Sequence, residues 1–236
     1  MQSFIKNSLP EPIKNNSYLL EIACFNETSA MHAFNGGANR IELCSGKNAG
    51  GLTPCYNTFK NVKQNLSIDI YVMIRPCAGN FIYTDIEFEK MKVDLLSLKQ
   101  LNADGFVFGI LDENGNVNRQ QNKILVNLAH PLPCTFHKAF DQTNNVFNAL
   151  EDCIECGFKN ILTSGGAPSA VEGTDKLKQL LVHAKKRINI IASGSVRSNT
   201  IAFIKEQTGI TYFHSSAIGD TGDTASLEEI IRLMNC

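Results

Sequence analysis

The sequence has no basic block: its 22 Lys and Arg and 23 Asp and Glu are scattered through 236 residues, for a formal net charge of -1. That argues against the clustered positive surface that holds nucleic acid or anionic membrane, and favours a small molecule or a protein as partner. No apolar run approaches the roughly 20 residues that span a bilayer. Residues 1–17 lack the apolar stretch and small-residue cleavage site of a secretory signal and carry two prolines. They are expected to form a loose tail ahead of a soluble, cytoplasmic domain over 18–236. No linker or shift in composition divides that domain. The stretch "CFNETSA" after the first apolar run has neither of the glycine patterns that cradle a nucleotide phosphate. "CIEC" (153–156) has no second C-x-x-C or histidine pair to complete a zinc tetrahedron, so its cysteines read as small apolar packing residues.

What is present is a regular alternation. Short apolar runs at 19–24, 40–44, 70–75, 105–110, 133–137, 160–163, 188–193 and 211–214 read as strands. Segments with helical spacing lie between them, opening after Asp, Thr, Ser or Asn and closing on Gly or Asn. Eight such units repeat about every 27 residues, and the strands are apolar enough to be covered on both faces. The expected fold is therefore a single-domain α/β chain, a (β/α)8 TIM-like barrel, with an open doubly wound sheet as the alternative.

A closed parallel barrel builds its site at the C-terminal strand ends, and polar residues collect there in this sequence. Glu21 lies on the first strand, Arg40, Glu42 and Cys44 on the second, Arg75 at the end of the third and His137 at the end of the fifth, with Asp141 just beyond. Alternation along each strand gives one lumen set: Glu21, Arg40, Glu42, Cys44, Arg75 and His137. Arg40 reads as a buried charge neutralising Glu21 or Glu42. Glu42, Arg75 and His137 sit nearer the strand ends, where a carboxylate, a guanidinium and an imidazole can share a pocket and exchange protons. Small residues in the last loops, Gly194, Ser195, Ser215 and Ser216, are candidates for a phosphate site, with ordinary tight turns as the other reading. Arg197 is the one basic residue in those short loops.

The ordered motifs "RIELC", "GGLTP", "VMIRP", "DGFVFG", "TFHKAFD" and "LTSGG" resemble the CutC family, known as copper homeostasis proteins, over about 20–217. The resemblance implies a TIM-barrel-like fold, a cytoplasmic location, a homodimer or homotetramer, and a role in handling Cu(I). It maps the family's polar set onto Glu21, Glu42, Arg75, His137 and Asp141. In copper-binding members one thiol lies two residues after the strand-one Glu and a second ends "RIELC". Here the second is Cys44, but the first position is Ala23, and Cys24 should face the other way on a regular strand. Lys138 stands where the family usually has Arg. Three functions remain open: Cu(I) binding or trafficking through Cys44; an enzyme acting on a small anionic or phosphorylated metabolite, with Glu42 and His137 as acid and base; and an oligomeric scaffold.

Overall fold

Eight strands, each followed by a helix, close on themselves. The computed structural model describes residues 18–219 and 222–236, so the expected tail at 1–17 lies outside the described residues. In chain order they are β1 (Leu19–Cys24), α1 (Glu27–Asn35), β2 (Arg40–Leu43), α2 (Tyr56–Asn65), β3 (Asp69–Met73), α3 (Asp85–Gln100), β4 (Gly105–Phe108) and α4 (Arg119–Ala129). The second half follows as β5 (Cys134–Phe136), α5 (Val146–Cys156), β6 (Asn160–Thr163), α6 (Thr174–Ala184), β7 (Asn189–Ala192), α7 (Ile201–Thr208), β8 (Tyr212–Ser215) and α8 (Leu227–Met234). All strands are parallel, and β8 pairs back onto β1, which selects the closed barrel over the open sheet.

The hydrophobic faces explain the closure. Leu20, Ile22, Ile41, Leu43, Ile70, Val72, Phe106, Phe108, Phe136 and Phe213 point outward from alternate strand positions and pack under the helices in one continuous core. The helices start where short polar side chains can bond exposed backbone N–H groups: Asn26 caps α1, Asn145 caps α5 and Ser226 caps α8. Thr84 and Glu87 form a reciprocal capping box on α3.

The opposite strand face is the lumen, and register aligns its layers. Glu21 pairs with Arg40 and with His214, Ala23 with Glu42, and Glu42 with Tyr71. Cys24 pairs with Leu43 and belongs to the outer core, so β1 stays regular and turns this thiol toward the helices. Among the described residues no helix is long and apolar enough to cross a membrane.

Candidate functional site

The lumen carries a buried ion pair near its lower end. Arg40 Nε lies 2.5 Å from Glu21 Oε2, and the guanidinium stacks 4.1 Å from the centre of the Tyr71 ring. Glu21 is fully buried and Arg40 is 5% exposed, so each charge depends on the other. The expected neutralising role of Arg40 thus has Glu21 as its partner.

Above this pair, barrel closure brings β8 against β1 and places His214 beside two carboxylates. His214 Nε2 is 2.9 Å from Glu42 Oε2 and 3.8 Å from Glu21 Oε1. Burial alone would lower the imidazole's pKa, but the charge and hydrogen bond of Glu42, with Glu21 behind it, hold it above its ordinary value. Burial would likewise raise the Glu42 carboxyl, and the charge and hydrogen bond of His214 hold it below the usual carboxylate range. The two form an ionised pair with one oxygen, Glu42 Oε1, left without a partner. His214 was visible in the sequence as the end of the last strand. Its place in the site follows only from the β8–β1 pairing, which any closed eight-stranded barrel requires.

Across the lumen lies a region of opposite character. His137 follows β5 directly and caps the short 3-10 helix Lys138–Gln142, its Nδ1 accepting from the Ala139 N–H at 3.3 Å. Burial first, and then the Arg75 charge, push its pKa down to about 3 against the weaker pull of Glu42. Gly109 makes room for the ring: a Cβ there would come 2.7 Å from His137 Nδ1. Arg75 is tied down by carbonyls, donating from Nη1 to Ala49 O at 2.5 Å and Gly51 O at 3.0 Å and from Nη2 to Gly79 O at 3.3 Å.

Phe81 covers this side. Its ring lies 4.8 Å from the His137 ring and 4.5 Å from the Arg75 guanidinium, and its backbone sits at φ 65°, a conformation costly for a bulky side chain. Glu42 and His137 are each 3% exposed. A cleft of about 570 Å³ lies at the other end of the barrel, around Asn39, Asp69 and the Lys63–Asp104 ion pair. That end carries none of the strand-end groups described above.

The remaining candidates fall into two sets. Asp141 accepts from Thr163 Oγ1, from the backbone N–H of Ser164 and Gly166, and from Ser164 Oγ at 2.9 Å, with Lys138 Nζ at 3.1 Å. Both of its oxygens are engaged in shaping the loop after β6. Gly194 (φ 91°) and Ser195 (φ 58°) form the turn after β7, and a Cβ at Gly194 would lie 3.3 Å from Lys138 Nζ. These positions therefore adjoin a cation. Ser215 and Ser216 do not join them, because Arg197 donates to both hydroxyls, at 3.0 and 3.2 Å, and Ser215 in turn donates to Val196 O. Sequence reasoning also passed over Ser193, whose buried hydroxyl has no partner. It lies two residues beyond the lumen-facing Ile191, a step that strand alternation alone could have revealed.

Cys44 faces the lumen in a small cluster with Tyr71, Met73 and Val107. Burial, and then the Glu42 charge, push its thiol pKa well up, so it is held protonated. A Cβ on Gly51 would meet Cys44 Sγ at 3.4 Å and the Met73 terminal methyl at 3.3 Å, so the Gly51 backbone packs against both side chains. Cys77 donates to Glu87 at 3.1 Å, and Cys55 is exposed at the start of α2. Neither adds a second thiol to Cys44. Among the described residues, the one group of three His, Cys, Asp or Glu side chains with converging ligand atoms is Glu21, Glu42 and His214. Two carboxylates and an imidazole suit a harder cation than Cu(I), and Arg40 already neutralises one of the carboxylates.

A closed parallel barrel with charged and unpartnered polar groups at the C-terminal ends of its strands defines a TIM-type barrel with a lumenal site. Residues 18–219 match the CutC family model, and the chain belongs to the CutC family. It is 44% identical over 202 residues to the mouse copper homeostasis protein cutC homolog and 43% identical to the human one, in each case across 86% of this chain and 74% of the relative. The CutC protein of Vibrio vulnificus is 43% identical, covering 85% of this chain and 81% of that one. The solved structure of a CutC copper homeostasis protein from Streptococcus agalactiae superposes with a TM-score of 0.80 at 30% identity, over 84% of this chain and 98% of that one. Phosphoribosylanthranilate isomerase of Thermotoga maritima, at 10% identity and a TM-score of 0.61, shares the fold alone.

Proposed function

We propose that this CutC-family barrel is an enzyme acting by acid/base chemistry on a small anionic or phosphorylated metabolite. One observation carries the reading: Glu42 Oε1 on β2, and Arg75 Nε, His137 Nε2 and Ser193 Oγ just past β3, β5 and β7, are buried without partners. An unpaired buried polar group costs about 1–3 kcal/mol, and four at one mouth fit a ligand that satisfies them. Glu42 supplies the base and His214 steadies its charge, while Arg75 holds oxygen. Lys138, with the turn at Gly194 and Ser195, offers a place for an anionic end. The test is a thermal-shift screen of sugar phosphates and small carboxylates. Binders should raise the melting temperature of the native protein and lose that effect in Glu42→Gln. A screen without binders would remove the reading.

A second reading, Cu(I) binding or trafficking, rests on the buried Cys44 thiol, which shares a small lumen cluster with Met73, both residue types being soft ligands for that ion. The ion would be cargo, and the thiol must lose its proton to take it. A cuprous titration under reducing conditions should show one equivalent bound, lost in Cys44→Ala and weakened in Met73→Leu. No stoichiometric binding, or no effect of Cys44→Ala, would remove this reading. Eight unpaired cysteines favour a reducing, cytoplasmic setting. The exposed Ile86, Val93 and Leu96 on α3 favour a homodimer or homotetramer, which sedimentation would measure.

A further inference from the structure

The hydrogen bond to His137 Nδ1 decides where the ring carries its proton. A neutral imidazole has one N–H, and Nδ1 is occupied as the acceptor of the Ala139 N–H, so the hydrogen belongs on Nε2. Nε2 is buried and has no partner. The ring cannot turn to find one: Phe81 packs on it at 4.8 Å, Phe136 meets its edge at 6.0 Å, and the bare Gly109 backbone lies beneath. Arg75 adds a positive charge that opposes a second proton. The fold thus spends an immobilised, uncharged N–H donor on an empty direction.

Open donors and open acceptors both line the lumen, and above the Arg40–Glu21 pair they lie on different strands. At the mouth the unpartnered donors come from residues just past β3, β5 and β7, Arg75 Nε, His137 Nε2 and Ser193 Oγ, with the Tyr83 hydroxyl also open near Arg75; lower in the lumen Arg40 Nη2 on β2 is open too. The unpartnered acceptors come from β1 and β2: Glu21 Oε1 and Glu42 Oε1. A molecule that fits both sides gains negative charge on an oxygen at one side and loses a proton at the other.

We infer that the substrate is a small carbonyl compound with an acidic hydrogen on the adjacent carbon, and that His137 Nε2–H is the donor to its oxygen as Glu42 removes that hydrogen. The inference rests on the acid/base reading above. The C–H bond breaks and its proton goes to Glu42 Oε1. The electron pair forms the C=C bond of an enolate, and the carbonyl π pair moves onto the oxygen that accepts from His137. No electrons leave the substrate and no second reactant is needed. A neutral imidazole suits this step, because it donates without offering the enolate a proton it would readily take.

The experiment has two arms on the full-length protein. In the first, nuclear magnetic resonance of histidine-labelled protein, with His137 assigned by comparison with His137→Gln, reads the tautomer. The expected result is a neutral ring with its hydrogen on Nε2 from pH about 8 to about 5, where an ordinary histidine would have gained a proton. A hydrogen on Nδ1, or a charged ring near neutral pH, overturns the donor assignment even if small molecules bind. In the second, hydroxy aldehydes and ketones, with and without a phosphate ester, are incubated in heavy water and their α-hydrogen exchange is followed. Glu42→Gln should abolish exchange. His137→Ala should lower kcat by about 10²–10³ with little change in KM, and His137→Gln, which keeps an N–H donor, should recover most of it. If the thermal-shift screen finds binders but no carbonyl compound exchanges above the solvent rate, the carbonyl class is wrong and the acid/base pocket stands. If the screen also finds none, both fall.

Discussion

His214 and His137 are the same residue in the same lumen, yet their pKa values move in opposite directions. Burial pushes both down. His214 faces Glu42 and Glu21, whose charges outweigh burial and raise it, whereas His137 faces Arg75, whose charge adds to burial and brings it to about 3. Residue type sets neither role. The sign of the nearest fixed charge does, and the strands set it: two carboxylates on β1 and β2, one of them balanced by Arg40, and the Arg75 guanidinium beyond β3. One side of the mouth is built to hold a proton and the other to refuse one.

The largest effect should come from removing the charge that keeps the acidic side balanced. Arg40→Met removes the guanidinium that lies 2.5 Å from the buried Glu21 carboxylate and leaves His214, 3.8 Å away, as the remaining positive neighbour. We expect a loss of about 3–5 kcal/mol in urea unfolding, most of it recovered in the Glu21→Gln/Arg40→Met double variant. His214 in the single variant should titrate higher still. An unchanged His214 would mean that Glu42 alone sets its pKa.

The pH dependence of stability should split the two histidines. The contribution of His214 is complete below its ordinary value of 6.5 and is lost as pH rises through its raised folded value. That of Glu42 is complete above about 4.5 and is lost as pH falls through its lowered folded value. Their pair therefore stabilises most between those limits. His137 acts against it: the unfolded chain takes a proton near 6.5 that the folded ring refuses until about 3, so stability falls with pH across that interval. Urea midpoints measured stepwise should show the acid-side decline flattened in His137→Gln and the decline above about 6.5 removed in His214→Gln. A single change affecting both limbs would break the comparison.

The same contrast shows which parts of the site were legible in the sequence. Strand alternation was enough to place Glu21, Glu42, Cys44, Arg75 and His137 on one face and to turn Cys24 away, because a regular strand allows no other arrangement. What a list of strands omits is closure. His214 meets Glu21 only because β8 returns to β1, and without that step it reads as an isolated histidine. Local hydrogen bonds are equally invisible in composition. Ser215 and Ser216 have the small, polar character of an anion site, but Arg197 occupies both hydroxyls. Phe81, the cover of the basic side, sits in the loop after "VMIRP" at a backbone angle that no residue preference announces.

That cover offers an intermediate test. Phe81→Gly removes the ring that shields His137 and Arg75 and suits the φ of 65° better than any side chain. Water entry should raise the His137 pKa toward 6.5 while leaving His214 unmoved, since the Phe81 ring packs on His137 and Arg75. Relief of backbone strain, worth about 1 kcal/mol, offsets part of the lost packing, so the pKa rather than the melting temperature is the informative readout. Equal shifts in both rings would show the mouth to be one dielectric environment and not two.

The smallest effect should come from Lys138, the cation whose charge opposes the raised pKa of His214. Lys138→Met removes that charge, and His214 should titrate slightly higher as a result. Stability should change by no more than about 1 kcal/mol, because the lysine side chain is 42% exposed and its pairing with Asp141 is screened by water. Asp141 keeps its other donors from Thr163, Ser164 and Gly166, so the loop after β6 should hold its shape. The two readouts separate the roles of this lysine. A rise in the His214 pKa without a loss of stability assigns Lys138 to the electrostatics of the mouth, whereas a loss well above 1 kcal/mol would make it a structural partner of Asp141.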